Sequence, residues 1–151
     1  MIFQQSLSGN NPQNKKDMSK KEELMKALAD IEEQERQAMI NAEYPKFKEL
    51  IGTCYKYRNS YSCPEKESDY WYTYFKITSL TPNDLYIGGL KNDNVLARCE
   101  TLKFQVCKDG IISIDPHYSK FVHSLGERIS IDEFNREFDK VIDMAKKVFN
   151  V

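Results

Sequence analysis

The feature that most constrains the fold is a run of alternating aromatic residues at 70–80. It reads Tyr-Trp-Tyr-Thr-Tyr-Phe-Lys-Ile-Thr-Ser-Leu, and aromatic and β-branched residues are the ones that strands favour. Successive side chains of a strand point to opposite faces of the sheet. The pattern therefore predicts one face with the apolar side chains Trp71, Phe75 and Ile77. The other face carries three tyrosines: Tyr70, Tyr72 and Tyr74.

Further short segments of strand-type composition lie on both sides of this run. They fall within 50–57, 85–87, 95–106 and 111–114. Turn signals separate them, including Thr81-Pro82-Asn83-Asp84 and Lys108-Asp109-Gly110. A set of about five short strands joined by tight turns predicts a small five-stranded antiparallel barrel or curled sheet.

Two helices flank the predicted sheet, so the predicted class is α+β. At the C-terminus, Ser130 and Glu133 have the spacing of a capping box, and Ile129 and Phe134 that of a hydrophobic staple. Apolar residues then recur with helical period, which predicts a C-terminal amphipathic helix: Phe134, Phe138, Val141, Ile142, Ala145 and Phe149. These residues predict a packed or docking face rather than a cofactor site.

The predicted organisation has three parts within one domain-sized chain of 151 residues. Residues 1–16 are polar and predict a disordered tail. Residues 17–45 predict a charged helix that begins near Ser19 and that Pro45 ends or bends. Residues 46–151 predict a compact β domain with the C-terminal helix.

The first helix carries a seven-residue apolar repeat with one charged interruption, Glu35. Its larger members are Leu24, Leu28 and Ile31. Two interpretations remain open. The helix either lies on the β domain through this narrow stripe, or residues 19–43 pair with a second copy as a short coiled-coil homodimer.

The charge balance disfavours duplex DNA as the main partner. The chain has 22 basic and 23 acidic residues and a net charge of −1, and no long segment has the basic excess that phosphate contacts require. No apolar run approaches membrane-spanning length, and the start shows no signal-peptide pattern. The expected setting is cytoplasmic, with reduced cysteines and no membrane partner.

The density of aromatic residues in 55–75 indicates a binding surface. Tyrosine gives large contact area at low entropic cost, so we predict a surface that captures a protein partner: Tyr57, Arg58, Tyr61, Tyr70, Tyr72 and Tyr74. The same rings can stack the bases of single-stranded nucleic acid. The structural alternative is that the C-terminal helix covers this face and makes it a second core.

No motif predicts catalysis, a metal or a cofactor. Cys54 and Cys63, and likewise Cys99 and Cys107, are separated more widely than usual zinc pairs. His117 and His123 are of a residue type that nucleophilic sites use, but no motif fixes the geometry that such a site requires. The prediction is a non-enzymatic protein.

Two stretches resemble a family of short uncharacterised bacteriophage and prophage proteins. Residues 50–61 read Leu-Ile-Gly-Thr-Cys-Tyr-Lys-Tyr-Arg-Asn-Ser-Tyr, and 70–77 read Tyr-Trp-Tyr-Thr-Tyr-Phe-Lys-Ile. The family shares an "IGK-hydrophobic-KYRNSY" opening, a "WWLYVKV"-like strand and a helical tail, and the likeness covers about residues 47–115. Thr53 stands where the family has lysine. The resemblance implies an accessory protein acting inside an infected bacterium, and it brings no catalytic residues. The expected partner of the binding surface is a host or viral protein. A structural role in a virion or oligomer, driven by the first helix, is a further alternative.

Overall fold

The computed structural model describes residues 12–60, 69–88, 95–107 and 109–150. Its helices and strands are α1 (Pro12–Lys48), β1 (Cys54–Ser60), β2 (Tyr70–Ser79), β3 (Leu85–Ile87), β4 (Val95–Val106), β5 (Ile112–Phe121), β6 (Glu127–Ile129) and α2 (Ile131–Phe149). The chain divides into two compact units, Met1–Met39 and Ile40–Val151. The second unit holds the end of α1, the sheet and α2. The predicted α+β class with a helix at each end is confirmed.

The strands form an antiparallel six-stranded sheet. β2 lies between β1 and β4, β6 pairs with the other edge of β1, and β5 pairs with β4. β3 pairs with the first three residues of β4. In the described chain β5 and β6 are not paired with each other, so the sheet is open. Of the predicted five-stranded antiparallel barrel or curled sheet, the antiparallel pairing is confirmed, whereas the described sheet has six strands and is not closed into a barrel.

The sequence pattern did not predict two parts of the sheet. β5 extends to Phe121, well beyond the predicted end at Ile114. It passes through Pro116 at a bulge, where the pairing with β4 skips between Thr101 and Lys103. A proline cannot donate to a ladder, but an edge strand tolerates it at a bulge. The three residues of β6 are too few for alternation to show.

Helix α2 packs on one face of the sheet, which we call the helix face. Its buried side chains Phe134 and Val141 join Cys54 and Phe104 in one apolar cluster. Full burial of side chains of this size contributes about 1.5–3 kcal/mol each. The Ser130 hydroxyl accepts the Glu133 N–H at 3.1 Å, as the predicted cap requires.

The opposite face of the sheet, the concave face, holds the larger core. Tyr55, Phe75, Ile77 and Cys99 are buried there among the side chains of α1 and the turns. In this cluster Ile40 comes from the end of α1, and partly buried side chains surround it, among them Tyr44, Phe47, Tyr118 and Val122.

The sheet bends strongly around this concave face. In a flat sheet, three strand spacings would place β5 roughly 14 Å from β1. Instead, the Lys120 Nζ of β5 lies 4.7 Å from the centre of the Tyr57 ring in β1. The two long side chains span part of that separation, and their contact indicates that the sheet bends toward this face while β5 and β6 stay unpaired with each other in the described residues.

Helix α1 begins earlier than predicted. It begins at Pro12 instead of near Ser19, and proline suits the first helical position because its missing N–H would have no partner there. The predicted disordered tail, 1–16, thus overlaps the helix from Pro12 onward, while residues 1–11 lie outside the described residues.

Helix α1 also ends later than predicted, at Lys48, with Pro45 inside it. Tertiary contacts hold this last turn, since Tyr44 and Phe47 pack against the concave-face core. The Tyr44 hydroxyl donates to the carbonyl oxygen of Leu80 at 2.8 Å. Proline restricts the helix locally, and here packing outweighs that local preference.

The side chains predicted to form a stripe on α1 are exposed, namely Leu24, Leu28 and Ile31. Pairing of residues 19–43 with a second copy would cover them, and it stays a prediction.

Replacing Gly126 with alanine should destabilise the second unit sharply. Gly126 has φ +98°, and a Cβ there would collide with the Lys56 carbonyl oxygen and lie 3.0 Å from the Tyr57 Cα. We expect Gly126→Ala to lower the free energy of unfolding by about 2–4 kcal/mol, measured by urea denaturation followed by circular dichroism.

Gly110→Ala is the matched control. Gly110 also has a positive φ, +86°, but among the described residues no atom lies within 4 Å of the added Cβ. Its cost should stay near about 1 kcal/mol. Equal losses for the two variants would show that close contact between the turn before β6 and β1 does not occur.

Candidate functional site

The exposed end of the helix face carries an arginine and two tyrosines, which we call the Arg58–Tyr72 surface: Arg58, Tyr70 and Tyr72. Arg58 lies opposite Tyr72 in the β1–β2 register, and its guanidinium carbon is 4.6 Å from the centre of the Tyr70 ring. The Lys56 ammonium lies 5.2 Å from the Tyr72 ring. Tyr72 remains 37% exposed, so α2 leaves this end of the face open.

Tyr74, two residues further along the strand, belongs to the core beneath α2. Its ring stacks on Phe104 with centroids 4.9 Å apart and planes 12° from parallel. Burial, together with the negative charges of Glu137 and Glu133, raises the pKa of Tyr74 to about 12. The structural alternative was that α2 covers the tyrosine face. It therefore holds for Tyr74, whereas Tyr72 stays accessible.

A shallow groove continues from Tyr72 along α2. It has a volume of about 210 Å³ and lies between Tyr72, Val106 and the α2 residues Glu137, Lys140 and Met144. Its lining is mostly apolar, with one acidic and one basic side chain. The groove extends the contact area next to the exposed tyrosine.

The structure separates the six predicted site residues. Tyr57 lies on the concave face, opposite Thr73, so it does not share a surface with Tyr70 and Tyr72. Tyr61 lies outside the described residues. Arg58, Tyr70 and Tyr72 are brought together as predicted, and Tyr74 is beside them but covered.

A second group of aromatic and basic side chains occupies the concave face, and sequence reasoning missed it. The Lys103 ammonium lies 4.2 Å from the Tyr118 ring centre. The Lys120 ammonium lies 4.7 Å from the ring centres of both Tyr57 and Phe75. Burial, and then the charge of Lys103, lowers the pKa of Lys120.

A row of polar side chains crosses the concave face beside these lysines. The Asn59 amide donates to the Thr73 hydroxyl at 2.8 Å, and that hydroxyl donates to the Gln105 carbonyl oxygen at 2.6 Å. Thr73 is 4% exposed. The hydrogen bonds satisfy a hydroxyl that would otherwise be costly to bury.

The charge of the strands is the sequence signal that would have indicated this group. The strands carry seven basic residues, Lys56, Arg58, Lys76, Arg98, Lys103, Lys120 and Arg128, and three acidic ones, Glu100, Asp115 and Glu127. When charges are counted over whole segments of the chain, the acidic residues of the loops cancel the basic excess of the strands.

The cysteines are dispersed over the fold. Cys54 lies in the helix-face cluster and Cys99 in the concave-face core, while Cys63 falls outside the described residues. Burial raises the pKa of Cys54, and it raises the pKa of Cys99 to about 11, which favours the neutral thiols. The described ranges hold no group of three potential metal ligands.

His117 forms a surface pair with Glu100. The distance between its Nδ1 and the Glu100 Oε1 is 2.7 Å, and this hydrogen bond raises the pKa of His117. Both side chains are exposed on the strand pair β4–β5. The contact with Glu100 explains the position of His117, so a nucleophile beside the histidine is not needed to explain it.

Neither helix, over its described length, has an apolar stretch long enough to cross a membrane.

Comparison with protein-family models, with curated proteins and with solved structures gave no match. Functional inference for this chain therefore depends on the two surfaces themselves.

The position of Tyr74 beneath α2 should appear in the pH dependence of stability. Because its folded pKa of about 12 exceeds the usual value of about 10, its stabilising effect is complete below pH 10 and is lost as the pH rises toward 12. Tyr74→Phe should flatten the loss of stability over this range, measured by chemical denaturation at stepped pH. Partial exposure keeps the change well below the about 2.7 kcal/mol that two pKa units represent. An unchanged slope in Tyr74→Phe would contradict burial of this hydroxyl.

Proposed function

We propose that the chain is a non-enzymatic protein-binding module and that the Arg58–Tyr72 surface captures its partner. The observation that carries this proposal is the exposure of Tyr72 at the end of a sheet face whose neighbouring positions pack under α2. A cluster of partly exposed aromatic side chains and an arginine, continuous with a mostly apolar groove, is typical of a contact surface.

The chemistry of the surface suits a protein partner. Tyrosine and arginine are enriched among the residues that contribute most to protein interfaces. Contact between Arg58 and the Tyr70 ring orients the guanidinium before binding, which reduces the entropy lost on association. The adjoining groove along α2 offers apolar area for a partner side chain.

The charge of the surface favours an acidic segment on the partner. Lys56 is already engaged by Glu133, with Nζ and Oε2 3.4 Å apart. Arg58 forms no ion pair with any described residue. A carboxylate on the partner can pair with Arg58 in a bidentate manner.

The setting that we propose follows from the resemblance to short bacteriophage and prophage proteins. There the chain acts as an accessory protein in the cytoplasm of a host bacterium, and its partner is a host or viral protein. Self-association through residues 19–43 would add a second copy of the surface and raise avidity for a multivalent partner.

Removing the exposed side chains should abolish capture and leave the fold intact. We expect the triple variant Arg58→Ser, Tyr70→Ser, Tyr72→Ser to lose at least about tenfold of the recovered partner, since interface anchors each contribute about 2 kcal/mol or more. The measurement is a tagged pull-down from bacterial lysate treated with nuclease, quantified by mass spectrometry.

Tyr86→Ser is the matched control, because Tyr86 is an exposed tyrosine of β3 outside the Arg58–Tyr72 surface. It should recover the partner as the unmodified chain does. Equal recovery by the triple variant would contradict the proposal, as would a partner that nuclease removes. Tyr74 is left intact because replacing it would disturb the core.

A further inference from the structure

Two lysines on the concave face have no acidic partner among the described residues. Lys103 and Lys120 each contact aromatic rings, but neither forms an ion pair with a carboxylate of the described residues. Lys46, Lys56 and Lys140, by contrast, each pair with a glutamate. The concave face therefore holds two positive charges that the described part of the fold does not neutralise.

The other charged groups on this face leave that excess in place. Asp115 lies opposite Lys103 in the β4–β5 register, where its Oδ1 accepts the His117 backbone N–H at 2.9 Å, and it contributes one negative charge to this face. Arg128 lies opposite Tyr55 and adds a further positive charge. Burial, and then the charge of Lys103, lowers the pKa of the half-buried Lys120, and a bound anion would offset the repulsion between the two lysines.

The side chains around the two lysines are of the kinds that contact the phosphate and the base of a nucleotide. Tyr57 is 44% exposed and presents a ring beside the Lys120 ammonium, and the Gln105 and Asn59 amides lie in the polar row next to it. An ammonium has three N–H donors, and contact with a ring face leaves donors free for phosphate oxygens. Proteins that bind single strands combine such cations with stacking rings.

We propose that the concave face binds single-stranded nucleic acid, with Lys103 and Lys120 on backbone phosphates and the exposed ring of Tyr57 against a base. This site lies on the opposite face of the sheet from the Arg58–Tyr72 surface, so it is independent of protein capture. The overall net charge of −1 disfavours duplex binding, which depends on many phosphate contacts, whereas stacking supports a single strand with few.

The test is fluorescence anisotropy of a labelled oligothymidylate of about 20 nucleotides with the full chain at several salt concentrations. Lys103→Gln with Lys120→Gln should weaken binding at least about tenfold and reduce the slope of log affinity against log salt by about 1.4. This change in slope is expected because each of the two lost phosphate contacts on a single strand contributes about 0.7 to it. The intrinsic fluorescence of Trp71, the only tryptophan, should change on binding, since its β1 partner is Asn59.

Matched variants identify the face that binds. Lys56→Gln with Lys76→Gln alters two cations on the helix face, where Lys76 lies opposite Cys54, and should leave oligonucleotide affinity unchanged. Lys103→Arg with Lys120→Arg keeps both charges and should retain binding, which separates loss of charge from loss of folding. A labelled duplex of equal length should bind at least tenfold more weakly.

Three results would overturn the proposal. The first is that the unmodified chain does not bind the oligonucleotide at about 50 mM salt. The second is that the helix-face variant loses binding while the lysine variant keeps it. The third is that single strand and duplex bind with equal affinity. Protein capture by the Lys103→Gln, Lys120→Gln variant reports separately on the Arg58–Tyr72 surface, so either proposal can fail alone.

Discussion

The packing of α2 on Phe104 determines which side chains of this protein are available for binding. Phe104 contacts Phe134 and Phe138 of α2 at centroid distances of 5.1 and 5.2 Å, and it stacks on Tyr74 from the other side. Such contacts contribute about 0.5–1.5 kcal/mol each beyond the area they bury. They fix α2 over the middle of the sheet, so Tyr74 becomes core while Arg58, Tyr70 and Tyr72 extend past the covered region.

The bend of the sheet has a comparable effect on the other face. It brings the Lys120 side chain of β5 to the Tyr57 ring of β1 and the Phe75 ring of β2. The Lys120 side chain is partly buried there, and its ammonium itself lies against these two rings. One sheet thus presents two surfaces of different character: an arginine with tyrosines beside an apolar groove, and a lysine pair with a polar row.

Much of this fold follows from local patterns in the sequence. Alternation in 70–80 assigned Phe75 and Ile77 to one face and the tyrosines to the other, as the burial of β2 shows. The cap at Ser130 and the apolar period after it predicted α2, because a helix end and an amphipathic face are properties of neighbouring residues.

The candidate site was harder to predict, because it depends on strand register and coverage. A shift of one residue in pairing moves every side chain to the opposite face, and the observed register sets Arg58, not Tyr57, opposite Tyr72. Coverage of Tyr74 depends on where α2 docks, and the position of Lys120 depends on a strand that continues past Pro116. Neither is a property of adjacent residues.

Both surfaces depend on α2 covering Tyr74 while Tyr72 and Tyr57 stay accessible on opposite faces. Hydroxyl-radical footprinting of the full chain, resolved to single residues by tandem mass spectrometry, tests it most directly, with buried Phe75 as the internal reference. Tyr57 and Tyr72 should be oxidised several-fold faster than Tyr74. Oxidation of Tyr74 at the rate of Tyr72 would show that α2 does not cover this face, and the assignment of the two surfaces would then be wrong.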